Sequence, residues 1–449
     1  MTYLPHTDAD RRTMLAAVGV DSIGDLFSPI PAELRSCTLD LARGLSEPEV
    51  AARMQDFAAH NQVCRSATFL GAGCYHHYVP AAVRALVGRS EFATAYTPYQ
   101  AEVSQGTLQH IFEFQTLICG LTGLDVANAG MYDGPSALAE AAFLALRHTH
   151  SERVLCSAGA HPEGRHVLAT YATGPGFPVD SLPLDPQTGR TRMPLPAELG
   201  GVGAVLVQQP NFFGVVEDIA PLAEAAHAAG ALLVVSQNPM TLGVLDSPGA
   251  LGADVAVGDV QVFGGDMNFG GPSAGYMACR AENLRQLPGR LVGQTTDADG
   301  RVCYTLTLQA REQHIRRAKA TSNICSNQAL CALAATIHLT LLGPDGLCEL
   351  GELCLRRAHY LATGLTALPG AAPMYGGPFF HEFALRLPMP ATEFRAAMRA
   401  RGVDPGVDLG RFDPTLDDCL LVAVTEMNTP ADLERYLVAA GDVLGEVTA

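Results

Sequence analysis

The sequence has no tryptophan, and of its 29 basic residues only Lys319 is a lysine. Arginine cannot stand in for lysine in a Schiff base, because its guanidinium stays protonated. Any covalent carbonyl chemistry on this chain must therefore pass through one residue. Positive charge is scarce throughout: the formal net charge is −17 and the pI is near 5.2. That balance argues against a basic surface for nucleic acid or anionic lipid. Twelve cysteines occur singly, at 37, 64, 74, 119, 156, 279, 303, 325, 331, 348, 354 and 419, with no C-x-x-C pair. Such spacing fits reduced thiols better than a disulfide framework or a zinc site. There is no basic n-region followed by an apolar h-region at the start, and no apolar run approaches the roughly 18 residues of a membrane helix. The expectation is a cytoplasmic protein with neither membrane nor nucleic acid among its partners.

What is present is enough apolar material for a large core. The chain has 449 residues, is 48% hydrophobic and has a mean hydropathy of +0.15, the profile of a big globular enzyme or enzyme subunit. Residues 1–60 read as a helical arm. Thr7 pairs with Asp10 and Ser46 with Glu49 as helix starts, Pro48 sits in a first turn, and Phe27-Ser28-Pro29-Ile30-Pro31 reads as an extended apolar link. Such an arm packs on another domain or subunit, or is simply an extension on its own core. Residues 61–343 alternate helices with short apolar strands, the mark of a wound α/β domain whose mainly parallel sheet is buried on both faces. Strands are predicted at 153–156, 166–171, 204–208, 231–235, 254–257 and 275–278, and helices at 137–148, 218–229 and 323–342. Residues 344–449 read as a smaller α+β domain, with helices near 347–366, at 391–401 and after Thr429, and strands at 379–387 and 418–425.

The most informative stretch is 94–142. Tyr96 to Gly106 is too rich in proline, glycine and hydrogen-bonding side chains for a core strand, yet carries two tyrosines that a plain solvent loop seldom needs. Leu108, Ile111, Phe112, Gln115, Ile118 and Leu121 then recur at helical steps, and Gly123 supplies a left-handed stop. Next comes a turn, Gly130 to Ser136, opening an alanine-rich helix, the kind of N-terminus where an anion usually sits. Elsewhere Cys74, His76 and His77 invite a metal reading. Adjacent histidines point different ways and no third ligand is placed, so the pattern favours a packed turn and no metal.

Long motifs carry a resemblance over the whole chain: FLGAGCYHHYVP at 69–80, GRSEFATAYTPYQAEVSQGTLQHIFEFQTLICGLTGLDVANAGMYDG at 88–134, NFGGPSAGYMACR at 268–280 and REQHIRRAKATSNICSNQAL at 311–330. The sequence resembles the alpha-type half of glycine decarboxylase, the pyridoxal-phosphate (PLP) dependent P-protein of the glycine cleavage system, in its two-subunit form. The resemblance implies a fold type I PLP-dependent transferase-like architecture, with a large domain and a smaller C-terminal one. It also implies a glycine-decarboxylating enzyme inactive without its partner, a PLP-carrying beta subunit in an expected alpha2beta2 tetramer. The aminomethyl group would pass to the lipoyl arm of the H-protein.

Within that family the Schiff-base lysine precedes a Gly-Gly-Pro turn, and the matching position here is Gln261. Ser236 or Gln237 stands where an acid for the pyridine nitrogen is wanted, and Asp133 would put an anion beside the cofactor phosphate. The resemblance therefore implies PLP on the partner and none on this chain. Fold type I sites lie at subunit interfaces, so the loop residues Tyr96, Tyr99, Glu102, Ser104 and Gln105 are the candidates for completing the partner's pocket. The sequence departs from the family at His76, where aspartate is expected, at Ala318, where glutamate is usual, and at Ser273-Ala274. Two other functions stay open: a self-sufficient PLP enzyme using Lys319, and a non-catalytic scaffold.

Overall fold

The computed structural model describes residues 5–35, 40–61, 67–94, 96–267, 270–325 and 328–448, and the chain divides into two compact units, 1–63 and 64–449. In the first unit the helices Asp8–Val18 and Glu47–His60 start at the predicted caps: the Asp10 carboxylate accepts from the Thr7 amide at 2.8 Å, and Glu49 accepts from the Ser46 amide at 2.7 Å. Each such cap contributes about 1 kcal/mol. The predicted extended link is different. Asp25 accepts from the amide and hydroxyl of Ser22 and starts a 3-10 turn, Ile23–Phe27, which continues with Ile30 N–H donating to the Phe27 carbonyl. None of the helical segments described in this unit contains a buried residue.

The second unit opens on a short strand, β1 (Ala67–Thr68), which pairs in parallel with 403–404. Its large sheet has seven strands: β2 (Val126–Ala127), β3 (Val154–Ser157), β4 (Val179–Leu182), β5 (Ala204–Gln209), β6 (Leu232–Gln237), β7 (Val255–Asp259) and β8 (Gly275–Cys279), in spatial order β2-β8-β7-β6-β5-β3-β4. The run from β4 to β7 is parallel, and β8 runs antiparallel to both of its neighbours, β7 and β2, so the sheet is mixed and mostly parallel. Successive residues face opposite sides and both sides are covered. Cys156, Leu206 and Val234 pack against the alanine face of the helix Gly134–Thr149, while Val205, Val207 and Val235 pack against Ile219–Ala228. Small side chains on the first helix let it lie close to the strands.

The segment 166–171, predicted as a strand, lies inside the helix Pro162–Thr173. Pro162 presets the first turn, the His161 ring accepts from the Glu163 amide, and Gly164, Leu168 and Ala172 are buried at four-residue spacing, so local alternation loses to helical burial. A hairpin not anticipated follows, β9 (Leu291–Thr296) with β10 (Val302–Thr307). It lies on the helix Gln105–Thr122 through Leu108, Ile111, Val292 and Leu306.

The smaller sheet is antiparallel, in order 372–373, 382–386, 419–423, 407–408. The helix Ala329–Thr366 spans two predicted helices and is broken at Gly343, where φ is 64° and Pro344 follows. It is long and apolar enough to cross a membrane by length and composition, but much of it, including Leu333, Leu339, Cys354 and Leu361, is buried in the protein core.

Candidate functional site

Two places where the sequence concentrates polar chemistry can be built up from their residues. The first is a cavity of about 410 Å³ at the carboxyl ends of β6 and β7, lined among others by Cys74, His161, Ser236, Asp259, Gln261 and Gly134. A fold with this sheet order keeps its ligand at such a crevice. The helix Gly134–Thr149 points its N-terminus there, which makes an anion cup. That cup is already filled by the chain itself. The Asp133 carboxylate accepts from the Ser136 amide at 2.7 Å, and Asp259 accepts from the Gly134 amide at 3.2 Å. Asp259 also accepts from the Gln261 amide at 2.8 Å and from the Ser273 hydroxyl at 2.5 and 2.6 Å. Burial raises the Asp259 carboxyl above its ordinary value, opposed by these hydrogen bonds.

Close backbone approach makes this packing possible. A Cβ on Gly275 would lie 2.3 Å from the Asp133 carbonyl oxygen, and one on Gly258 would lie 2.3 Å from the Gln237 carbonyl oxygen.

Gln261 cannot form a Schiff base, and its amide is fully committed. It donates to the carbonyls of Tyr75 and Gly265, both at 3.0 Å, and accepts from the Tyr75 amide at 3.1 Å. At the end of β6, Ser236 and Gln237 supply no carboxylate, and the Gln237 amide nitrogen bonds the Thr241 hydroxyl. Lys319 is exposed in a 3-10 turn, Arg317–Lys319, and is not among the residues lining this cavity. The donor set here does not fit PLP: amine, pyridine acid and open phosphate cup are each replaced.

The second place is the loop 96–105. Tyr96 and Tyr99 are 74% and 59% exposed, and Glu102 is also exposed, whereas the loop's base is tightly held. Gln105 donates to the Tyr304 carbonyl at 2.9 Å and accepts from the Tyr304 amide at 2.8 Å, copying a backbone pairing between the helix and β10. Ser104 starts the helix through its carbonyl, which accepts from the Leu108 amide at 3.0 Å. Arg290 donates to the Tyr99 hydroxyl at 2.9 Å and to the Thr97 hydroxyl at 3.2 Å, with its guanidinium 5.0 Å from the Tyr99 ring centre. Arg290 and Asp259 both escaped sequence reasoning. Asp259 left a faint signal as a lone carboxylate at the end of an apolar strand, while Arg290, in a Pro-Gly-Arg turn, left none.

The first turn separates its three candidates: Cys74 and His76 are exposed and His77 is buried. His77 Nδ1 lies 2.7 Å from Glu426, and the Cys354 thiol donates to the same carboxylate at 3.6 Å. The potential ligand atoms of these three groups lie within 4.8 Å of one another, but they are joined by hydrogen bonds through Glu426.

Residues 1–439 match the family model described as glycine cleavage system P-protein. A relative from Moorella thermoacetica, named probable glycine dehydrogenase (decarboxylating) subunit 1, is 49% identical over 447 residues, covering 99% of this chain and all of the relative. Among solved structures, a glycine decarboxylase (P-protein) of the glycine cleavage system in inhibitor-bound form superposes with a TM-score of 0.92 at 48% identity, covering 99% of this chain and 100% of that one. A sphingosine-1-phosphate lyase from Burkholderia pseudomallei, at a TM-score of 0.65 and 17% identity over 93% of this chain and 94% of that one, shares the fold alone. The fold is that of the PLP-dependent fold type I enzymes, and the chain belongs to the glycine cleavage system P-protein family, among the relatives named subunit 1.

Proposed function

We propose that this chain is the cofactor-free half of a two-chain glycine dehydrogenase (decarboxylating). In this reading it pairs with a beta-type subunit in an α2β2 tetramer and completes that subunit's active site with Tyr96, Tyr99, Glu102 and Ser104, while Gln105 anchors the loop. The name subunit 1, carried by close relatives, already implies a partner chain. PLP belongs to the partner, where it supplies the electron sink for loss of CO2, and the aminomethyl group leaves on the lipoyl arm of the H-protein in the cytoplasm. The division into an arm at 1–60 and domains at 61–343 and 344–449 is part of the same proposal.

One observation carries it: the residues at the cofactor position are not merely changed but mutually satisfied. Asp259 occupies the helix N-terminus and Gln261 is tied to Tyr75 and Gly265. A site that had only lost its lysine would keep an open anion cup. On the loop, the Tyr99 hydroxyl accepts from Arg290 and so keeps its own proton to donate elsewhere. The exposed Glu102 carboxylate is suited to an ammonium or guanidinium across an interface. A self-sufficient enzyme is disfavoured by the position of Lys319, exposed and outside the cavity.

Borohydride reduction tests the assignment. With PLP, the purified chain should stay colourless and yield no adduct, whereas the reconstituted pair should carry a phosphopyridoxyl group on the partner's lysine. Lys319→Ala should leave the complex's cofactor absorbance unchanged. An adduct on Lys319 of the isolated chain would replace this reading with the self-sufficient enzyme.

A further inference from the structure

Arg290 is a buried cation whose hydrogen bonds go outward. Its side chain is 3% exposed and that of Glu312 is 5% exposed, with Arg290 Nε 3.4 Å from a Glu312 oxygen. Taking both charges out of water costs several kcal/mol per ion, and an apolar pair of the same volume would serve stability as well or better. The terminal nitrogens are not spent on Glu312. They donate to Thr97 at 3.2 Å and to Tyr99 at 2.9 Å, with the Cys325 sulfur a longer 3.7 Å away. Tyr99 itself is more than half exposed, so a buried charge is holding a surface side chain.

The backbone side of this node is rigid. The Arg290 carbonyl accepts from the Ala129 amide at 2.9 Å, tying it to the turn beyond β2. On the far side, His314 lies 6.3 Å from the Tyr99 ring centre to centre, and its Nδ1 is 3.6 Å from Glu312. Glu312, His314, Arg317 and Cys325 also border a cavity of about 390 Å³.

We infer that Arg290, buried against Glu312, is the positioning residue that fixes Thr97 and Tyr99 in the orientation the partner's active site requires. The inference rests on the proposed role of the loop. Arg290 touches no substrate in this scheme and acts through Tyr99. A lysine cannot replace it, since a point-like ammonium on a flexible stem does not reach two hydroxyls in a fixed plane while underlying the ring.

A double-mutant cycle in the reconstituted two-chain enzyme tests it, with Arg290→Lys, Tyr99→Phe and their combination. Assembly is followed by sedimentation and glycine binding by calorimetry. Arg290→Lys should lower kcat by about tenfold or more with assembly intact, and the double variant should fall no more than about twofold below Tyr99→Phe alone, because coupled residues are non-additive. Glu312→Gln keeps the shape, removes only the charge, and should show a smaller defect with the same non-additivity. It serves as the test should Arg290→Lys fail to fold. Multiplying defects, or a wild-type rate in Arg290→Lys beside an impaired Tyr99→Phe, would overturn the positioning role alone. Wild-type rates in Tyr99→Phe and Glu102→Ala would instead overturn the loop reading on which it rests.

Discussion

The filled cup and the tyrosine loop are both polar, yet they solve opposite problems. In the cup the Gly134 and Ser136 amides are met by the chain's own carboxylates, and the replacement for the lysine is bound on both sides of its amide. In the loop Gln105 is fastened to Tyr304 and the Tyr99 hydroxyl to Arg290, while the side chains of Tyr96 and Glu102 remain exposed. Internal satisfaction marks a site turned to structure. An anchored loop that leaves Tyr96 and Glu102 in solvent marks a surface prepared for something else, since holding an exposed side chain still costs rotamer entropy that folding alone does not repay.

The largest expected effect follows from that contrast. Tyr99→Phe or Glu102→Ala, measured in the reconstituted enzyme, should lower glycine decarboxylation by tenfold or more, because one transition-state hydrogen bond is worth about 2 to 4 kcal/mol. Glu102→Ala should leave the chain's unfolding midpoint unchanged, whereas Tyr99→Phe, which takes an acceptor from the buried Arg290, should also lower stability by about 1 to 3 kcal/mol. A loss of stability in Glu102→Ala as large as its loss of activity would erase the distinction between the two regions.

Much of this architecture was legible because helical steps and continuous apolar runs are local. The helix Gln105–Thr122, the strands β5 to β8 and the stop at Gly123 follow from spacing alone. Where alternation over a few residues met a proline start and four-residue burial, as at 166–171, the local pattern misled. The hairpin β9–β10 was hidden because its residues from Gly293 to Thr296 carry little apolar signal, and its hold on the helix adds to the apolar contacts two glutamines, Gln105 and Gln115, bonding backbone groups far away in sequence. The positions of Gln261 and Asp133 were readable only against a family pattern. That Asp259 and Ser273 complete the cup depends on contacts 125 and 14 residues apart, which no window contains.

An acid titration asks which region loosens first, and it concerns the interior. Burial, then the nearby His77, lowers His381 to about 3, and burial lowers His338 and His110 to about 4, from an ordinary 6.5. Their stabilising contribution is present above 6.5 and is lost as pH falls toward those values, at about 1.4 kcal/mol per imidazole by pH 5.5. Glu382 has the opposite sign: burial raises it to about 7, so the folded state gains stability as pH drops from about 7 toward 4.5. Between about pH 7.5 and 5.5 the three imidazoles should outweigh the carboxyl by about 2 kcal/mol. Denaturant unfolding should therefore show a fall in stability of about 2 kcal/mol in the wild-type chain and of about 4 kcal/mol in Glu382→Gln. His381 lies beside Asn238, which lines the cavity, with 3.2 Å between their side-chain nitrogens. Acid should thus loosen the floor of the cavity as well as the helix that carries His110, and unchanged amide-exchange protection around Asn238 at about pH 5.5 would contradict that placement.

The smallest expected effect is none at all, and it is the most discriminating. Gln261→Lys returns the amine that the family pattern wants, and if the cavity were a cofactor site short of one residue, that change would restore Schiff-base absorbance with PLP. Here the new ammonium would meet Asp259, which already accepts from the backbone amide of residue 261 at 2.8 Å, and the helix N-terminus would still be occupied by two carboxylates. A paired lysine stays protonated and non-nucleophilic, and a phosphate brought to the cup meets negative charge where it needs donors. Gln261→Lys should therefore remain colourless with PLP and give no borohydride adduct at position 261. Only when Asp259→Ser is added, freeing the Gly134 amide, should saturable protection by inorganic phosphate against thermal unfolding emerge. A coloured Gln261→Lys chain would mean that the carboxylates do not seal the cup, and the difference between the two regions would reduce to a single missing lysine.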